Sequence, residues 1–385
     1  METRRRGDRE SRRRGDSLVA DVSWLVARGC KRNIVTDFRR LLGPLLAIVL
    51  LAALLAALQA SGLAFWQGLG VNLGIFLILV LSLNLANGLT GVFSLGHIGF
   101  MALGAYGSAI LTLPLREKQS YLPNLPGWLA GVHLDTRLAG FPIGFLLATL
   151  IAAVLVALLA TLVGLVLMRL SGHFVAVATL GFLVIVRVIL FNADTITRGS
   201  RTFSNVTAYT NLWWVWAWVL LTLYVVWRLK NSPYGRAMLA QREDRLAAQA
   251  CGIAVMPPRL LAFVVSAFFT AVAGALYAHF ITSFSPTVFY FDLTFRVITM
   301  LVVGGMGSVS GSVVGVVLVL ALAEALRRIE DMTQLFGISQ VVLALIFLLI
   351  IIFRREGLLG QREIALDRLF VKGGERSTPA PELRR

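Results

Sequence analysis

Apolar runs of about 20 residues recur along nearly the whole chain, and each is long enough to cross the roughly 30 Å hydrocarbon core of a bilayer as a helix. Charged residues make up only 15% of the 385 residues and apolar ones 57%, whereas soluble domains carry about a quarter charged residues. A soluble helical protein of this size would also show a polar stripe on most helices, and few of these runs have one. The expected fold class is therefore an all-α polytopic membrane protein with about ten transmembrane helices. The expected crossings are 41–62, 70–88, 93–114, 142–168, 174–191, 212–228, 259–282, 294–306, 309–328 and 335–353. Spans two and three are separated only by Gly88-Leu-Thr-Gly91, and spans eight and nine only by Gly307, so each pair is read as a tight turn or a broken helix. The run from Leu41 to Phe65 is too long for the core of a signal peptide and is expected to stay as a span.

The net charge of +16 follows the same logic. Loops on the cytoplasmic side of a membrane protein are enriched in Lys and Arg. Residues 228–259 carry six (Arg228, Lys230, Arg236, Arg242, Arg245 and Arg259), against three in 115–140 and two in 192–211. The 228–259 loop is thus expected to be cytoplasmic. With ten spans both termini join it, in keeping with 12 Lys and Arg in residues 1–40 and 8 in 354–385. A nucleic-acid role for the arginine-rich start is the weaker account of that charge. The domain reading is a basic, disordered N-terminus over 1–40, a transmembrane domain over 41–353 with a charged loop at 229–258, and a basic C-terminal tail over 354–385. Cys30 and Cys251 both fall on the side where thiols stay reduced, so no disulfide framework is expected.

Four segments carry the functional signal. The loop from Ser232 to Ile253 is the one long charged segment of the interior. Its residues Arg242, Glu243, Asp244, Leu246, Ala247, Ala248, Ala250 and Gly252 read as a short docking helix. The alanines favour helix, Asp244 suits a helix start and Gly252 a helix stop. Leu246, Ala247 and Ala250 share one face that would otherwise meet water. In Asn84–Tyr106, Gly96, Gly99, Gly104 and Gly107 are expected on about one helix face, where small residues let backbones approach. His97 is either hydrogen-bonded to a neighbouring helix or a pathway residue. In Gly304–Gly315, Gly307, Gly311 and Gly315 recur every four residues, which suits helix packing inside the chain or a face lining a pathway or partner. Arg187, read as mid-span, needs a partner in the membrane, and Glu324 is the acidic residue placed to provide one.

No Gly-x-x-x-x-Gly-Lys-Ser/Thr occurs, so the chain has no phosphate-binding loop of its own, and none of the common hydrolase motifs is present. No cofactor or metal is expected. Asn205-Val-Thr matches a glycosylation sequon, a pattern common by chance.

Asn84–Tyr106, Arg169–Leu180, Ser232–Ile253, Ala262–Ala278 and Gly304–Gly315, in that order, resemble the permeases of branched-chain amino-acid ABC importers, of the M type. The resemblance covers about 41–361. It departs from the pattern at Thr197-Arg-Gly-Ser-Arg-Thr, at Ser312, at Pro257-Pro258-Arg259 and after Phe353. It implies a type II importer-like permease in a bacterial cytoplasmic membrane, working with a second homologous permease, two ATP-binding subunits and an extracytoplasmic substrate-binding protein. It also implies that the helix at 242–252 sits in a groove of an ATPase subunit. Membrane lipid is the other expected partner, and nucleic acid is not one. The competing reading is a stand-alone secondary transporter driven by an ion gradient, with Glu324 and His97 as coupling groups.

Overall fold

The computed structural model describes residues 49–360, apart from short stretches at 123–124, 128–130, 132, 135–136, 139–140, 171, 335–336 and 355–356. The expected disordered segment 1–40 and most of the C-terminal tail lie outside the described residues. Two compact units result. The helix α1 (Val49–Ala60) belongs to one, and residues 61–364 form the other.

The larger unit is built from helices. In chain order these are α2 (Ala64–Leu83), α3 (His97–Thr112), α4 (Leu115–Tyr121), α5 (Ile143–Leu167), α6 (His173–Asn192), α7 (Leu212–Lys230), α8 (Pro233–Glu243), α9 (Arg245–Ala250), α10 (Met256–Ile281), α11 (Phe291–Gly304), α12 (Val309–Thr333) and α13 (Ile338–Phe353). The extended structure is slight. Arg137–Leu138 pairs antiparallel with Phe141–Pro142, and Phe203 forms an isolated bridge with Phe284.

Among the described residues six helices are long and apolar enough to cross a membrane, against the ten crossings expected. The shortfall has a local cause at the third span. α2 does not end at Leu83 but widens into a π-helical turn over Asn84–Leu89. Irregular chain then follows to Gly96, and α3 has only 16 residues, a rise of about 24 Å. Spans eight and nine are likewise a 14-residue α11 and a long α12 joined by the turn 305–308.

At the centre lies α10, whose largest interfaces are with α3, α5 and α2. Its buried face reads Ala262, Ser266, Ala267, Thr270, Ala271, Gly274, Ala275 and Ala278, which lets neighbouring backbones come close in a medium where packing, not water, drives association. A Cβ on Gly104 of α3 would overlap the Ala271 carbonyl, and one on Gly274 would overlap the Met101 carbonyl. Three buried polar pairs add to this packing. Ser82 Oγ lies 2.9 Å from Thr270 Oγ1, His97 Nε2 2.9 Å from Ser266 Oγ, and Thr112 Oγ1 2.8 Å from His279 Nε2. Such inter-helix hydrogen bonds average about 0.6 kcal/mol in a membrane protein.

The glycines of α3 do not share one face. Gly96 caps the helix against Thr179 of α6, Gly99 lies against Phe182 of α6, Gly104 against α10, and Gly107 against Ala152 of α5. α3 is enclosed on all sides, so its small residues serve three neighbours rather than one.

Candidate functional site

The charged loop after α7 folds into two short helices at right places for their caps. Ser232 Oγ accepts the Gly235 N–H at 3.2 Å, and Pro233 occupies the first turn of α8. Met238 on α8 is fully buried with Leu85, Leu89 and Ala262, which seats the helix on the π-turn and α10. Gln241 Nε2 donates to the Ala254 carbonyl at 3.0 Å and ties the end of α8 to the start of α10. Asp244 breaks the helix and starts another. Its Oδ1 accepts the Leu246 and Ala247 N–H groups at 2.8 and 3.0 Å. α9 closes with Gly252 at φ +80°, where Gly252 N donates to Gln249 O and Ile253 N to Ala248 O. This left-handed ending is one glycine adopts without strain.

The two faces of α9 differ. Ala248 is buried, while Leu246 is 77% exposed and Ala247 and Ala250 are exposed beside it. Glu243 and Asp244 are also exposed. Cys251, next in line, is a free exposed thiol.

Arg242 departs from the sequence reading. Placed with the outward docking residues, it instead turns inward, and Nη1 donates to the Gly88 carbonyl at 2.6 Å. A π-turn shifts its hydrogen-bond ladder from i−4 to i−5, a geometry frequent at functional positions, and here its carbonyl at Gly88 meets a guanidinium. The side chain runs past Gly307, where a Cβ would overlap Nη1, and Gly307 itself sits at φ +92°. Glycine is therefore required at 307 on two grounds.

The turn 305–308 is held from two elements. Lys230 Nζ at the end of α7 donates to the Gly307 carbonyl at 2.8 Å. Asn84 Oδ1 accepts the Gly307 N–H at 2.8 Å, and Asn84 Nδ2 donates to the Ser308 carbonyl at 2.9 Å. Gly304, Gly311 and Gly315 close the hairpin above it, because a Cβ on Gly315 would overlap the Met300 carbonyl and one on Gly304 the Gly311 carbonyl. Asn87 continues the network inward. Its Oδ1 accepts the Ser94 N–H at 3.0 Å, Ser94 Oγ lies 3.0 Å from His97 Nδ1, and His97 Nε2 reaches Ser266 on α10. His97 is buried between the ring edges of Phe100 and Phe263 and uses both ring nitrogens in these contacts.

The proposed Arg187–Glu324 pair is not formed. Arg187 lies five residues before the end of α6, about 8 Å from it by helical rise, rather than at mid-span. Its guanidinium carbon stands 3.8 Å from the centroid of the Tyr290 ring, which supplies a cation–π contact. Glu324 is held by its own helix, with Oε1 3.2 Å from Arg327 Nη2 and 4.0 Å from Arg328 Nε. Sequence reading had no way to prefer Tyr290, since an aromatic face competes with a carboxylate for a guanidinium.

Asn84, Asn87, Lys230 and His279 were not singled out from the sequence. The first two carried a signal, as amides three residues apart inside an apolar run. Among the described residues no group of three His, Cys, Asp or Glu could hold a metal ion.

Comparison with known proteins identifies the family. Residues 66–353 match the family described as branched-chain amino acid transport system, permease component. The chain is 30% identical to the high-affinity branched-chain amino acid transport system permease protein LivM of Escherichia coli K12, over 74% of this chain and 68% of that protein. It is 24% identical to the probable branched-chain amino acid transport permease protein LivM of Methanocaldococcus jannaschii, over 76% of this chain and 92% of that one. A further relative is the permease protein LivH of E. coli K12, 30% identical over 46% of this chain and 55% of that protein. No solved structure matches. With three quarters of its length inside the match and its apolar helices in order, the chain is a multi-pass membrane protein that belongs to the branched-chain amino acid transport system permease family.

Proposed function

We propose that this chain is the transmembrane permease subunit of an ATP-driven importer for branched-chain or related amino acids. ATP hydrolysis takes place on separate ATPase subunits, and a second homologous permease and an extracytoplasmic binding protein complete the assembly. The setting is the bacterial cytoplasmic membrane. The ten expected spans act as ten crossings, with both termini on the side of the 229–258 loop.

One observation carries the proposal: α9 presents Leu246, Ala247 and Ala250 outward, while Arg242, three residues before its start, is bonded into the π-turn. An apolar side chain 77% exposed at the tip of a polar loop is a surface suited to a protein groove. The Arg242 anchor gives a push on that surface somewhere to go. From Gly88 the hydrogen-bonded chain Asn87, Ser94, His97, Ser266 leads to α10 at the centre of the bundle, and Asn84 leads to the α11–α12 turn. Docking and closure of the ATPases would then move α2, α10 and the α11–α12 hairpin together, a rigid-body gating of the bundle. The ion-gradient alternative is weakened, since Glu324 is engaged by two arginines and both His97 nitrogens by serines.

The test is co-purification and cross-linking from Leu246→Cys to each ATPase subunit expressed with the chain, in a background where Cys30 and Cys251 are serine. Cross-links that form with nucleotide-dependent yield, together with ATP-dependent leucine uptake in proteoliposomes, are the expected result. Uptake by the chain alone under an imposed ion gradient, with no ATPase bound, overturns it.

A further inference from the structure

A cleft of 440 Å³ opens at the end of the bundle opposite Arg242, bounded by the start of α2, the end of α10, α11 and α12. About 30 Å of α2 separates the two ends by helical rise from Gly68 to Gly88. That volume falls in the range of small-molecule sites. Its walls are of two kinds. Leu69, Phe76, Phe280 and Leu293 form an apolar side, and Asn72, Tyr277, Arg296, Glu324 and Arg327 a polar one.

The polar side sets opposite charges side by side. Glu324 meets both Arg327 and Arg328 through the single oxygen Oε1. Arg296 contacts Asp292 at 3.5 Å through Nη2 alone and also reaches the cleft. A guanidinium has five N–H donors in a fork that matches a carboxylate, so both arginines keep donors for a ligand. Charges of this density do not suit a face against hydrocarbon, where a centrally placed ion costs about 2.5 to 3.5 kcal/mol or more.

We infer that this cleft binds a zwitterionic α-amino acid, with its ammonium at Glu324, its carboxylate at Arg327 and Arg296, and an aliphatic side chain on Leu69, Phe76, Phe280 and Leu293. The ligand carries its ammonium and carboxylate on one carbon, and Glu324 and Arg327 stand 3.2 Å apart, so each charge of the ligand can meet an opposite one. The apolar wall accounts for a branched aliphatic side chain over a polar one. This site lies far from the loop that meets the ATPases, and the inference rests on the importer reading only for the direction in which the ligand travels.

The test measures binding of radiolabelled L-leucine to the purified full-length chain in lipid nanodiscs, with leucinamide (no carboxylate) and 4-methylpentanoate (no ammonium) as competitors. Leucine is expected to bind about tenfold or more tightly than either, the size of one charge-assisted contact. Glu324→Gln should bring leucine down to the level of 4-methylpentanoate and leave 4-methylpentanoate unchanged. Arg327→Gln should bring it to the level of leucinamide and leave leucinamide unchanged. A merely structural role would weaken all three ligands alike, and that result overturns the assignment. Should either variant fail to fold, Asn72→Cys in a Cys30→Ser, Cys251→Ser background gives a second reading. Leucine should slow its labelling by a water-soluble thiol reagent, and 4-methylpentanoate should not. Equal protection by both, or by neither, also overturns the site. If the cleft selects leucine while the assembled transporter carries none, the importer reading fails and the site stands.

Discussion

Arg242 and Gly88 lie 154 residues apart in the chain, yet a single hydrogen bond of 2.6 Å joins the guanidinium of one to the carbonyl of the other. The donor belongs to a polar surface loop and the acceptor to a π-turn inside the bundle. Removing this bond should separate docking from transport. Arg242→Ala should leave the ATPase subunits bound to the chain while ATP-dependent uptake falls about tenfold or more, since hydrogen bonds to charged groups contribute about 1.5–3 kcal/mol. Arg242→Lys should recover only part of it, because an ammonium lacks the planar fork. Parallel pull-down and uptake assays check this, and equal loss of both would show that Arg242 serves docking itself.

Leu246→Asp should give the opposite pattern. The side chain is 77% exposed, and surface substitutions of this kind usually change stability by less than about 0.5 kcal/mol. Thermal unfolding of the purified chain should therefore match the parent, while the ATPase subunits no longer co-purify.

Asp244→Ala removes the acceptor for two backbone N–H groups of α9. Loss of such a cap costs about 1 kcal/mol, and α9 is only six residues long. Hydrogen exchange at Leu246 and Ala247 should speed up several-fold, with α8 and α10 unchanged. Asp244→Asn should restore protection, since an amide oxygen caps as well.

The glycines should sort by what lies against them. Gly104→Val drives a branched side chain into the Ala271 backbone and should destabilise the chain by several kcal/mol, because neither backbone can retreat. Gly181→Ala meets nothing within 4 Å on α6 and should be neutral or slightly stabilising, by up to about 1 kcal/mol. Apparent melting temperatures in one detergent compare the pair directly.

Much of the helical framework was legible because apolar run length sets it. The run expected over 142–168 is the helix Ile143–Leu167, and that over 174–191 is His173–Asn192. Legibility failed where side chains far away in sequence decide the backbone. α3 starts at His97 rather than 93 because Asn87 and Thr179 take up the N–H groups of Ser94 and Leu95 in place of a helical ladder. The loop could be read as capped at Asp244 and stopped at Gly252, but not as two helices with Arg242 turned inward, since its partner sits in another span. Arg187 found Tyr290 instead of Glu324 for the same reason: charge can be counted along a sequence, whereas an available ring face cannot.

The widened turn at Asn84–Leu89 holds one residue more than a regular ladder would place in the same rise. That surplus is slack. Passed along α2, it turns the part it crosses by about 100°, one residue's share of a helical turn, with every carbonyl finding a new donor one place along and no strand of chain unwound. A helix so provisioned can swivel in place, between Asn72 and the Gly88 carbonyl that Arg242 holds, without its ends having to travel.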